Sequence, residues 1–580
     1  MQAQIVIIDC GGQYAHLIAR RVRECGVYAE IVPSNIDAKT LFCKGVIISG
    51  GPQSVYDEDS PKVDPAIFEL DIPVLGICYG MQLMAHMLGG IVRKGDVGEY
   101  GPAEVTCMPY FGPIFTGTPS NQRVWMSHRD QVVEVPDGFT GFATTANCPI
   151  AGMQTNWEWE FAPMYGLQFH PEVVHTTNGH RMIRNFVESC ECNIDWNNEK
   201  RREVLETNIR ETVGDRNVLF FVSGGVDSAV AYTLTKRVLG AGRVAGYYID
   251  TGLMREGDNA LVAEVDPDII TIDANKMFLD SLDGVVDPEA KRHIIGENFV
   301  ALQQDIIGML DFERILGQGT IYPDTIESGG TKHADIIKTH HNRVNGIQKL
   351  IKEGKIVEPI SMLYKDEVRE VGRELGLPED LISRHPFPGP GLAIRCLCSS
   401  EFRTLTKTED GYIIPIKSVG VQGDSRTYRN VMAVSGRNPA DMARFASDCI
   451  AKSDSINRVV RLEMSQLPMA SMNVYPATIT RQRIEILRAA DVVVRKYCRK
   501  WNIDEQVWQF PVVLIPVGCS GAPNSVVLRP IHSVDGMTAD PVVLTPDQRF
   551  DIAYELLWVT GISAVFYDFT PKPPGTIEWE

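Results

Sequence analysis

The segment 73–90, PVLGICYGMQLMAHMLGG, constrains this chain more than any other stretch. A short apolar run stops at Gly76-Ile77-Cys78-Tyr79-Gly80, and Leu83, Met84, Met87 and Leu88 then recur at helical spacing. This pattern reads as a strand, a sharp turn and a helix with a thiol at the tip, the sulfur counterpart of a G-x-S-x-G elbow. Glycines two residues either side of Cys78 let the backbone fold sharply enough to expose the sulfur. The helix start behind it favours negative charge on sulfur or on a nearby oxygen.

Two further segments supply what a reactive thiol needs. His170-Pro171-Glu172 closes the apolar run MYGLQFHPE, so an imidazole and a carboxylate leave a strand end together. A base near the sulfur and an acid to hold that base make a Cys–His–Glu triad. Gly50-Gly51-Pro52 follows the apolar run 45–49, and such a glycine turn aims backbone N–H groups at an oxyanion.

With these segments in this order, residues 1–192 resemble the class I glutamine amidotransferases, which implies a flavodoxin-like domain. The resemblance implies that Cys78 attacks the side-chain amide of glutamine, forming a thioester and releasing ammonia. His170 would carry the proton and Glu172 would orient it. Backbone N–H groups near Gly51 and Tyr79 would form the oxyanion hole, and Gln82, Ser127, His128 and Asp130 would contact glutamine.

A polar stretch from 190 to 216 reads as a linker and a helix leading into a new domain. NVLFFVSGGVDSAVAYTLTKRVLG follows, a buried-strand pattern running into a helix. Between them Ser223, Gly224, Gly225, Val226, Asp227, Ser228 and Ala229 form a nest of N–H groups at a helix N-terminus, suited to phosphate. No lysine follows the glycines, which excludes the G-x-x-x-x-G-K-[ST] loop. The string resembles that of the ATP pyrophosphatases, which cleave ATP between the α- and β-phosphates. In that family the loop holds pyrophosphate, and Asp227 would bind the Mg²⁺ that accompanies ATP. As a purely structural alternative, Asp227 caps the helix. Asp250-Thr251-Gly252, after the next strand, lies where it can line the nucleotide crevice.

At 580 residues the chain is too long for one core. A net charge of −18 excludes a general nucleic-acid or membrane-surface binder. No apolar stretch approaches the ~20 residues of a membrane span, and the N-terminus lacks the basic start of a signal peptide. Thirteen cysteines, an odd number without a framework, point to the reducing cytoplasm. Cys190/Cys192 and Cys396/Cys398 are C-x-C pairs, not the C-x-x-C pairs of zinc sites.

Farther along, the segments 317–328, 337–342, 363–370 and 384–395 and the tail KPPGTIEWE resemble the glutamine-hydrolysing GMP synthetase family, and the likeness then covers the chain. It implies an ATP pyrophosphatase domain over 199–397 and a C-terminal α+β domain over 398–580. It also implies amination of XMP to GMP with ammonia from glutamine, through an adenylyl-XMP. Lys365 would meet pyrophosphate, and Asp324, Glu327, Lys338, His340 and His341 would form a lid over the phosphates. Arg426, Gln509, Arg529, Lys572, Ile577 and Glu578 match positions that bind XMP, with Arg and Lys suited to its phosphate. IPIKSVGVQGD (414–424) and LRPIHSVDGMT (528–538) are similar, and each precedes a second apolar strand. The C-terminal region is expected to hold an internal repeat packed on itself, in a monomer or a homodimer.

Overall fold

The computed structural model describes residues 2–12, 14–108, 112–156, 158–308, 314–329, 354–422, 425–453, 455–533 and 538–580. Of the residues named above, Lys338, His340 and His341 lie outside these. The described residues form two compact units, 2–208 with 320–329 and 360–367, and 209–319 with 354–359 and 368–580.

The first unit is built on β1 (Ile5–Asp9), α1 (Ala15–Glu24), β2 (Ala29–Pro33), β3 (Gly45–Ile48), β4 (Val74–Ile77), α2 (Tyr79–Met87), β5 (Ile91–Cys107), β6 (Asn121–Glu134), β7 (Phe139–Thr144), β8 (Gly152–Thr155), β9 (Met164–Leu167) and α3 (Gly179–Ser189). They form one sheet in the order β2-β1-β3-β4-β9-β8-β7-β5-β6. The first five strands in that order run parallel, the flavodoxin-like half. The others continue antiparallel. Parallel strands buried on both faces must be apolar throughout, as GVII and VLGI are. Ile5 and Ile7 pack under α1 and α3, while Ile8 and Ile48 pack against Met81 and Met84 of α2.

Segments 320–329 and 360–367 belong to this unit, although the sequence placed them inside 199–397. Arg23, at the end of α1, is the reason. Its guanidinium carbon lies 4.5 Å from the ring centre of Tyr322, 4.9 Å from Tyr28, 5.1 Å from Tyr364 and 5.7 Å from Trp196. It also donates to the carbonyls of Ala29 (2.8 Å) and Met362 (2.5 Å). Such a cation is held by ring faces and carbonyls at once. Tyr364 donates to His16 O (2.8 Å), Ile31 N donates to the Tyr322 hydroxyl (2.9 Å), and Trp196 donates to Glu367 (2.9 Å).

Helix α4 (Asn198–Val213) leads to the second unit. There β10 (Asn217–Phe221), α5 (Val226–Leu239), β11 (Val244–Asp250), β12 (Ile270–Asp273), β13 (Arg314–Gly317) and β14 (Ile356–Val357) give a parallel sheet ordered β12-β11-β10-β13-β14. The order reverses between β10 and β13, the switch point where open α/β sheets bind ligands. Leu392, Ala393 and Cys396 pack in one core with Leu487 and Leu514, so the boundary expected at 397/398 is bridged by continuous packing.

The C-terminal sheet holds β15 (Thr406–Lys407), β16 (Tyr412–Gln422), β17 (Ser425–Val434), β18 (Ile456–Ser465), β19 (Val512–Ile515), β20 (Asn524–Leu528) and β21 (Ile562–Asp568), with helices α6 (Pro439–Ala451) and α7 (Pro546–Leu556). Its order, β15-β16-β17-β18-β21-β20-β19, places two β-β-α-β copies about a pseudo-two-fold axis. Ile413 pairs with Met432 and Met432 with Val459, just as Leu514 pairs with Val526 and Val526 with Val565. At the centre Arg461 pairs antiparallel with Tyr567, equivalent positions of the two copies. This register corrects the alignment read from sequence. Segment 414–420 corresponds to 515–521, whereas 528–538 begins at the end of the next strand. Val419-Gly420 lies within β16, whereas the similar string 528–538 only starts at the last residue of β20, so the likeness joins positions that are not equivalent.

Candidate active site

Cys78 sits between β4 and α2 with φ 53° and ψ −107°. Few residues other than glycine adopt this, and a strained backbone at one residue is the mark of an elbow. The strain lies on Cys78 itself, while the flanking glycines solve a space problem. A Cβ on Gly80 would stand 2.2 Å from Ile48 O, and one on Gly76 would stand 2.6 Å from Gly80 O. They let α2 press onto β3 and β4, which lifts the thiol out of the turn.

His170 and Glu172 follow β9, which lies beside β4 in register. His170 Nδ1 is 2.8 Å from Glu172 Oε1, and both side chains are buried. Burial pulls the His170 pKa down, but the Glu172 carboxylate and the Cys78 sulfur outweigh it and raise it well above the ordinary imidazole value. Glu172 Oε2 is buried without a hydrogen-bond partner among the described residues. A Cβ on Gly50 would stand 3.2 Å from His170 Cε1 and 3.8 Å from Cys78 Cβ, so this turn runs between base and nucleophile. Gly51 packs on Tyr79, whose N–H is one of the first four of α2 and has no intrahelical acceptor.

Ser127 O lies 3.6 Å from Cys78 Sγ, and Gln82 donates to Asp130 O (2.6 Å) and to Gln168 Oε1 (3.1 Å). Asp130 accepts from Ser54 Oγ (2.5 Å), and His128 Nδ1 lies 3.0 Å from Asp130 O. Burial holds His128 below the ordinary imidazole value. Gln168 was missed in the sequence, yet its amide approaches Cys78 Sγ at 3.7 Å. Strand alternation was the available signal, since Gln168 is two residues before His170. Tyr14, just before α1, stands edge-on to His170 at 5.2 Å.

In the second unit the loop after β10 is closed by its own hydroxyls. Ser223 N and Oγ lie 3.1 and 3.0 Å from Ser228 Oγ, which donates to Gly225 O (3.1 Å). Gly224 has φ 76°, which a side chain would strain. Val226 begins α5, and Ala229 is buried in it. The N-cap of α5 is Gly225, so Asp227 stands inside the first turn rather than capping the helix. Gly319, after β13, packs on this turn: a Cβ there would stand 2.8 Å from Ser228 N. Arg384 donates to Gly224 O (3.0 Å) and pairs with Asp258 at 2.5 Å. Asp250 instead shapes its own turn, accepting from Gly252 N (2.9 Å) and Asn259 (2.7 Å).

The other predicted positions are scattered. In the first unit Asp324 accepts from Ile321 N (3.2 Å) in helix Tyr322–Gly329, which also carries Glu327, and Lys365 begins helix Lys365–Glu374. In the second, Arg426 pairs with Glu289 at 3.2 Å on the surface. Gln509 donates to Pro386 O (2.7 Å) and lines a small cavity with Arg255, His385, Arg395 and Asp491. Burial pushes Asp491 up to about 7. Glu578 is held by Arg395 through two bonds, 2.9 and 2.6 Å. Arg529 is fully buried, donates to Ile577 O, Thr570 O and Thr576 O, and pairs with Asp568 at 2.7 Å. Arg458 joins Asp568 (2.9 Å) and Glu578 O (2.6 Å), so two arginines clamp the tail. Lys572 meets Ala539 through its backbone.

Residues 6–190 match the family Glutamine amidotransferase class-I, and 496–579 match GMP synthase C terminal domain. A probable GMP synthase [glutamine-hydrolyzing] of Leptospira interrogans is 41% identical over 100% of this chain and 99% of that protein. The GMP synthase [glutamine-hydrolyzing] of Caldicellulosiruptor saccharolyticus is 39% identical over 100% of both. Among solved structures, one subunit of a putative GMP synthase of Thermoplasma acidophilum is 36% identical, with a TM-score of 0.30, over 33% of this chain and 95% of that one. With a thiol elbow, a glycine loop at a helix start and this identity along its whole length, the chain belongs to the glutamine-hydrolysing GMP synthase family.

Proposed function

We propose that the chain aminates XMP to GMP with ammonia taken from glutamine, and that ATP first converts the acceptor oxygen of XMP into an adenylyl ester. The balanced reaction is XMP, ATP, glutamine and water to GMP, AMP, pyrophosphate and glutamate. The observation that carries this reading is the strained Cys78 elbow with the buried His170–Glu172 pair, in a chain that also holds a phosphate loop at a sheet switch point. We assign glutamine hydrolysis to residues 1–192, the ATP chemistry to 199–397 apart from the segments 320–329 and 360–367 that fold with the first unit, and XMP to 398–580.

In the first part Cys78 sulfur attacks the glutamine amide carbon, and His170 gives a proton to the departing ammonia. Glu172 holds the ring by its Nδ1 and favours its charged form. The oxyanion faces N–H groups at Gly51 and Tyr79. Water then takes the acyl group from sulfur, with His170 receiving the proton. Gln82, Ser127, His128 and Asp130 shape the glutamine pocket.

In the ATP part, the loop 223–229 receives the pyrophosphate on N–H groups at the start of α5. Asp227 offers a half-buried carboxylate in a hydroxyl-bearing loop, a hard oxygen set that suits Mg²⁺, which keeps waters and takes one or two carboxylates with substrate phosphates. Mg²⁺, when bound with ATP, supplies charge neutralisation at the phosphate oxygens. Asp324, Glu327, Lys338, His340 and His341 are proposed to close over these phosphates. XMP is placed beside Gln509 and the tail, with Arg426 and Lys572 for its phosphate. Arg529 acts by holding the tail at Thr576 and Ile577, since its guanidinium is occupied by carbonyls and Asp568. The proposed compartment is the cytoplasm. No helix among the described residues is long and apolar enough to cross a membrane. An assay with XMP, ATP, Mg²⁺ and glutamine should yield GMP and AMP together, and ADP in place of AMP would sink the adenylyl reading.

Glu172→Gln should move the alkaline limb of glutamine hydrolysis to lower pH. With Glu172 present the His170 imidazolium persists above the ordinary imidazole value, and without the carboxylate the proton is lost sooner as pH rises. A pH profile of kcat/KM with an unmoved alkaline limb would show that Glu172 does not tune His170.

The chain is also proposed to work as a monomer, because the two C-terminal copies already pair with each other through β18 and β21. Sedimentation velocity at micromolar concentration, with and without XMP, should show one species of 64.4 kDa. An obligate dimer would refute this.

A further inference from the structure

A second cluster of reactive side chains lies in the first unit, apart from the triad. Glu99 on β5, His128 on β6 and Cys148 between β7 and β8 are all buried, and one ligand atom of each lies within 4.8 Å of the others. Glu99 and His128 are cross-strand partners where β5 bulges between Lys94 and Glu99.

The ring of His128 carries a contradiction. Its Nδ1 is 3.0 Å from Asp130 O and its Nε2 is 3.3 Å from Glu99 Oε2. Both neighbours are acceptors, whereas a neutral imidazole has one N–H. With that hydrogen on Nδ1, the Nε2 lone pair faces a carboxylate, a repulsion that a proton or a metal cation between them relieves. Thr145 Oγ1 donates to both Glu99 oxygens (2.8 and 2.9 Å) and accepts from Cys148 N (3.0 Å), which fixes the carboxylate and the cysteine together. A His whose far nitrogen donates to a backbone carbonyl, beside a hydrogen-bonded carboxylate, has the outer shell of a metal ligand.

We propose that His128 Nε2, a Glu99 oxygen and Cys148 Sγ bind a borderline divalent cation, zinc by the chemistry of the set. Sulfur with imidazole nitrogen and one carboxylate suits Zn²⁺, whereas Mg²⁺ and Ca²⁺ take oxygen. The Cys148 thiol donates to Ile150 O (3.4 Å), so binding breaks its S–H bond, releases that proton to solvent and forms a zinc–sulfur bond. The site does not depend on the proposed reaction. It bears on the glutamine pocket all the same, since His128 follows Ser127 and its ring is held by Asp130 O, the carbonyl that holds Gln82.

The test uses the full chain carrying Cys78→Ala, so that the catalytic thiol contributes nothing. Co²⁺ serves as the spectroscopic probe and Zn²⁺ as the competitor. One equivalent of Co²⁺ should give the visible bands of a four-coordinate ion with a thiolate charge-transfer band, and Zn²⁺ should displace it. Adding Cys148→Ala, or the size-matched Cys148→Ser, should remove the thiolate band and weaken binding by about tenfold or more. X-ray absorption of the zinc-loaded Cys78→Ala chain needs no change at Cys148 and should show one sulfur per zinc. Absence of the cobalt bands, a thiolate band that survives both replacements in folded protein, or a sulfur count other than one overturns the site.

Discussion

Cys78→Ala should abolish GMP formation from glutamine and leave formation from ammonium salts within about twofold of wild type. The loss with glutamine should be on the order of 10⁴-fold or more, because the sulfur forms the bond that splits the amide and no other group replaces it. Alanine fits the site: Cys78 is buried beside His170, and its sulfur lies 3.6 Å from Ser127 O and 3.7 Å from the Gln168 amide. Replacing a residue at φ 53° with alanine retains the backbone strain without adding bulk. Parallel initial rates with the two nitrogen sources decide the matter. Equal loss with both would mean that Cys78 supports the fold rather than the chemistry.

Asp227→Asn should remove AMP formation with either nitrogen source, by ~10²-fold or more. The carboxylate stands in the first turn of α5, where Gly225 already occupies the cap position, so Asp227 is not the helix cap. Asparagine keeps the shape and removes the charge with which Asp227 would hold Mg²⁺. AMP release should be followed at saturating Mg²⁺. A variant within about twofold of wild type would return Asp227 to a structural role.

Much of this was readable in the residues, for a physical reason. The turn at Cys78 and the glycine loop before α5 are local, and their glycines and hydroxyls stand next to the backbone they shape. What escaped was long-range. Arg23 looks like any basic residue near a helix end, and its ring cage is assembled from Tyr28, Trp196, Tyr322 and Tyr364. Arg384 reaches Gly224 across 160 positions, and Glu99 reaches His128 across a sheet. The two C-terminal copies were visible as similar strings, but the register was not, because it is set by pairing between strands that no local string records. Arg529 shows the same limit from the other side: its type suggested a phosphate fork, and only its complete burial reveals the tail it grips.

Fusing two copies of a self-pairing module in one chain frees each copy to change alone. In a symmetric pair of separate chains every substitution appears twice, so both ends of the sheet must keep whatever one end needs. Here Arg458, third in its strand, meets Asp568, seventh in the other. At the mirror position the same places hold Ala564 and Leu462, and no ion pair can form there. The tail clamped by Arg458 and Arg529 follows only the second copy. One end of the pseudo-dimer has therefore kept the charged clamp while the other has become plain hydrocarbon. A single chain of this design carries one such clamp, and a change in it has no twin to match.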